Sequence, residues 1–60
     1  NMKNKNEEYE WVLEVIHSCK NKKQLKSAER LTSLFNQKYL DFRLELMLSS
    51  SLRRRNYELI

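Results

Sequence analysis

Glu10 and Glu14 stand one helical turn apart and His17 follows three residues later, so a helix through them carries two carboxylates and an imidazole along one polar side. Carboxylates at that spacing can serve acid–base chemistry or hold a cation, and a Glu14–His17 hydrogen bond is within reach. The ordinary outcome of the same pattern is a solvated helix face, and that is the expectation. Cys19 completes no nucleophile–base pair, because a residue two positions from His17 points elsewhere on a helix. A single histidine and a single cysteine are too few for a structural zinc site. No catalytic, cofactor-binding or metal-ligating residue is therefore assigned. The chain is read as non-enzymatic, with Cys19 as a small core residue.

The 60 residues include neither glycine nor proline. Without glycine, phosphate-cradling loops and sharp nucleophile turns are missing; without either residue, little interrupts a helical pattern. The expected fold is one all-α domain. A domain of this size buries only ~60% of the surface its unfolded chain exposes, and small folds are usually rescued by disulfides, a metal or oligomerisation. Only oligomerisation is open to this composition, so a homodimer is expected. No apolar run approaches the roughly 18 residues of a membrane span and no charged-then-apolar leader precedes the first helical pattern. The expected setting is cytoplasmic, with no membrane partner. Asn1 ahead of Met2 reads as an expression remnant before the natural start.

Asn4 with Glu7, and Asn21 with Gln24, have the spacing of capping boxes, in which an Asn side chain accepts from an orphan N–H and the later side chain reaches back. They predict helix starts near Asn4 or Asn6 and at Lys22. Tyr9, Val12, Leu13, Ile16 and Cys19 fall on one stripe of the first segment, widened by Trp11 and Val15. Leu25, Ala28, Leu31, Leu34, Phe35 and Tyr39 cover about half of the second.

In the third segment Leu40, Phe42, Leu44 and Leu46 alternate with charged residues, as a half-buried strand would. Its Leu, Arg, Glu and Met favour helix, and a solitary strand would lack a partner. As a helix it places Leu40, Leu44, Met47 and Leu48 on one side, with Phe42 and Leu46 nearly opposite. The predicted architecture is an up-down-up three-helix bundle with helices at residues 6–19, 22–39 and 41–56, Asp41 a candidate cap and residues 57–60 frayed. A two-helix hairpin, continuous from residue 22 to about residue 56, is the alternative.

Charge is blocked along the chain. Glu7, Glu8, Glu10 and Glu14 crowd the first segment, whereas Lys20, Lys22, Lys23 and Lys26 follow it and Arg53, Arg54 and Arg55 lie near the end. In an up-down-up bundle Lys20, Lys22 and Lys23 meet Arg53, Arg54 and Arg55 at one end and could hold phosphates or an acidic partner; in a continuous helix the two groups would be ~45 Å apart. The sequence pI near 9.5 fits DNA or RNA binding through these residues, and it equally fits a solvated polar end. The apolar arcs exceed what one small core consumes, which makes Trp11, Val15, Leu34, Phe42 and Leu46 the candidates for an interchain surface. The favoured function is a non-enzymatic module acting by protein–protein association; the alternative is nucleic-acid binding through the basic clusters.

Glu8-Tyr9-Glu10-Trp11-Val12-Leu13, Ser18-Cys19, Ser27-Ala28-Glu29-Arg30-Leu31 and Leu34-Phe35 together resemble short uncharacterised helical proteins of Bacteroidetes over residues 8–39. The resemblance implies an intracellular bacterial origin and no particular chemistry. From Leu40 onward the chain departs from that pattern.

Overall fold

In the computed structural model, which describes residues 4–59, three helices follow one another: α1 Lys5–Ser18, α2 Lys22–Tyr39 and α3 Phe42–Glu58. No strand occurs among the described residues. Each helix starts where a side chain can satisfy its orphan N–H groups. At α1 the full capping box forms: Asn4 Oδ1 accepts from the Glu7 amide at 2.8 Å, and Glu7 Oε1 accepts from the Asn4 amide at 3.2 Å. At α2, Asn21 Oδ1 accepts from the Gln24 amide, but Gln24 reaches one residue further back, to the amide of Lys20. Asp41 Oδ1 caps α3 through the amide of Leu44.

The continuous-helix alternative fails at Leu40. Leu40 takes left-handed backbone angles, φ 50° and ψ 41°, and closes α2 by donating its amide to the Asn36 carbonyl. This position is usually glycine, because a Cβ crowds the following carbonyl there. The stripe expected of Leu40, Leu44, Met47 and Leu48 is therefore cut short: Leu40 and Met47 are exposed, and Leu44 and Leu48 carry the burial. At the other end α3 continues through Tyr57 and Glu58, where fraying was expected, and Leu59 packs against the core. Ile60 and the Asn1–Met2 boundary lie outside the described residues.

Every pair of helices is in contact. The interior is built from Val12, Ile16 and Cys19, then Leu25, Ala28, Thr32 and Phe35, then Leu44 and Leu48. Thr32 is the polar exception, and its hydroxyl is satisfied by donating to the Ala28 carbonyl at 2.9 Å. Phe35 stacks at a tilt between Tyr9 and Tyr39, with ring centroids 6.3 and 4.9 Å away. Cys19 is buried and reduced, its thiol donating to the Val15 carbonyl.

Two ties fix the direction of the helices. At one end the Lys5 ammonium meets Asp41 Oδ2 at 2.8 Å; at the other, Arg55 Nε and Nη2 donate to the Cys19 carbonyl at 3.0 and 2.6 Å. Both link residues 36 apart in sequence, so α1 and α3 run parallel in one register with α2 antiparallel between them. No described helix is long and apolar enough to cross a membrane.

Candidate functional site

The interchain candidates separate into two surfaces. On α3, Leu44 and Leu48 are 8% and 0% exposed, whereas Phe42 and Leu46 are 70% and 52% exposed. Helical spacing continues the outer line from Phe42 and Leu46 through Ser49 to Arg53, away from both other helices. The second surface lies between α1 and α2. Glu8, Trp11, Val15 and Ser18 follow down one line of α1, and Lys38, Leu34, Leu31 and Ser27 follow down one line of α2. Lys38 Nζ and Tyr39 Oη both donate to Glu8 Oε1, at 3.1 and 3.0 Å, so the two lines run side by side. Trp11 and Leu34 remain 42% and 57% exposed, while Val15 is half-buried against the core.

The basic residues gather at the opposite end from Asp41. Arg55 binds the final turn of α1, which brings the end of α3 to the start of α2 and so to Lys20, Lys22 and Lys23. Arg55 itself is engaged inwardly, by the Cys19 carbonyl and by Glu58 Oε1 at 3.0 Å. Its guanidinium satisfies a helix C-terminus that lacks a capping glycine. Lys20, Lys22, Lys23, Lys26, Arg53 and Arg54 are all exposed, and none forms a salt bridge among the described residues.

At the opposite end two ion pairs form, Lys5–Asp41 and Lys38–Glu8. The Lys5 ammonium, and then the Leu44 amide, hold the Asp41 carboxyl below its ordinary range. The Glu8 carboxylate, followed by the Tyr39 hydroxyl, raises the Lys38 ammonium above its usual value.

Glu10, Glu14 and His17 are exposed, and no Glu14–His17 hydrogen bond forms. No group of His, Cys, Asp and Glu among the described residues is arranged to hold a metal ion. His17 instead borders a groove of about 310 Å³ between α1 and α3, lined also by Tyr9, Met47, Ser50, Ser51 and Arg54. Sequence reasoning missed this grouping. Met47, Ser50, Ser51 and Arg54 do share one line of α3, but the register between α1 and α3 comes from the bundle and not from any local pattern.

No protein-family model, curated protein or solved structure matches this chain.

Proposed function

We propose that the chain is a non-enzymatic interaction module that acts by associating with another protein chain through the outer side of α3, a second copy of itself being the first partner. The observation that carries this reading is the pair Phe42 and Leu46, exposed on the side opposite buried Leu44 and Leu48. Apolar side chains at helical spacing on a surface mark association sites, and a two-fold pairing sets one stripe against its own copy. Trp11 and Leu34 offer a second contact area, with Trp a common anchor of such interfaces. Its expected setting is a bacterial cytoplasm.

Melting followed by circular dichroism over a hundredfold range of protein concentration tests the reading. Association coupled to folding raises Tm with concentration, because binding only the folded state stabilises it. A Tm independent of concentration, unchanged by Phe42→Ser with Leu46→Ser, would refute it.

The exposed cations Lys20, Lys22, Lys23, Lys26, Arg53 and Arg54 favour a second reading, DNA or RNA binding at the basic end. Phosphate contacts release counterions, so fluorescence anisotropy should then show affinity falling steeply with salt. Salt-independent binding, or none, removes this reading.

A further inference from the structure

The groove between α1 and α3 combines a cation, hydroxyls, an imidazole and an apolar wall. Arg54 supplies a permanently charged planar fork suited to phosphate oxygens, Ser50 and Ser51 supply hydroxyl donors, and His17 supplies a ring N–H in either tautomer. None of these four side chains has a hydrogen bond or ion pair among the described residues, so their donors are not consumed by the fold. No carboxylate lines the groove; Glu14 lies one turn before His17, and Glu58 is held by Arg55. Tyr9 and Met47 add apolar surface, and about 310 Å³ exceeds what a bare tetrahedral anion fills.

We propose that this groove binds a phosphate monoester, its phosphoryl oxygens taking donors from His17, Ser50, Ser51 and Arg54 and its organic group lying along Tyr9 and Met47. The parallel register carries the geometry. With Cys19 held to Arg55, His17 stands level with the turn of α3 that presents Ser50 and Arg54.

The test is an amide NMR titration of the full chain with phenyl phosphate at constant ionic strength, with inorganic phosphate and a short single-stranded oligonucleotide as parallel arms. Phenyl phosphate should give saturable shifts concentrated at the groove residues, and inorganic phosphate should bind more weakly. Arg54→Gln should weaken binding by about tenfold or more, the loss expected for a charge-assisted hydrogen bond. His17→Gln should weaken it as well. Arg30→Gln removes an equal charge from α2 outside the groove and should leave affinity unchanged, while Glu14→Gln should tighten it. Shifts that never saturate, or equal losses in Arg54→Gln and Arg30→Gln, would overturn the site. Equal affinity for inorganic phosphate would overturn the ester assignment. Oligonucleotide binding around Lys20, Lys22 and Lys23 with phenyl phosphate inert would assign the cations to nucleic acid instead.

Discussion

The two sides of α3 carry similar residues in different circumstances. Leu44 and Leu48 face α1 and α2 and are sealed from water; Phe42 and Leu46, two positions away, face outward and remain more than half exposed. Side-chain chemistry does not explain the contrast, since all four are large and apolar. Position relative to the other helices does. The inner side is accounted for by the bundle, and the outer side is the part whose burial requires another chain.

The strongest way to break that comparison is to remove an inner residue. Leu48→Ala should cost about 2–5 kcal/mol in urea unfolding, a large share of the stability of so small a domain. A cost below about 0.5 kcal/mol, the range of surface substitutions, would mean that Leu48 does not bear the core.

The same inward–outward contrast recurs among the arginines. Arg55→Gln should destabilise by about 1.5–3 kcal/mol through loss of its charge-assisted bonds to the Cys19 carbonyl, whereas Arg53→Gln should change stability by less than about 0.5 kcal/mol. Equal effects would show that Arg55 does not cap α1.

Leu40 tests the joint that turns α3 back onto the core. Because its left-handed backbone suits glycine and its side chain is 83% exposed, Leu40→Gly should stabilise by up to about 1 kcal/mol. A loss of stability would show that the joint is unstrained.

The acid response sharpens the same joint. Asp41 has a lower carboxyl pKa folded than unfolded, so its contribution is complete above the ordinary carboxylate value, about 3.9, and is lost as pH falls through the lower folded value. Acid unfolding should therefore be less steep in Asp41→Asn than in the parent chain, and parallel curves would contradict the Lys5–Asp41 tie.

Much of this fold could be read directly from residue types. Asn4, Asn21 and Asp41 announce three helix starts through their capping geometry, and the stripe through Val12, Ile16 and Cys19 is the buried one. The bounds 22–39 and 41–56 leave Leu40 between two helices, as observed, but its place on the α3 stripe does not hold, because helical spacing does not reveal the left-handed turn that leaves its side chain exposed. Thr32 was absent from the expected core because its burial depends on a hydroxyl bond to Ala28, which polarity alone does not reveal. The exposure of Phe42 and Leu46 followed from periodicity, whereas the α1–α3 groove required the parallel register that Lys5–Asp41 and Arg55–Cys19 set across 36 residues.

The smallest effect on the fold belongs to the residues proposed to carry association. Phe42→Ser combined with Leu46→Ser should shift the stability of a single bundle by about 0.5 kcal/mol or less, since neither side chain contributes to its core. Solution mass by light scattering over a dilution series, for the parent and this double variant, tests the central claim most directly. The parent should approach twice its 7.4 kDa chain mass at high concentration and fall towards the single-chain mass on dilution, with the variant at 7.4 kDa throughout. A parent that stays at the single-chain mass at every concentration would contradict self-association through α3, and an equally stable dimer of the variant would place the contact elsewhere.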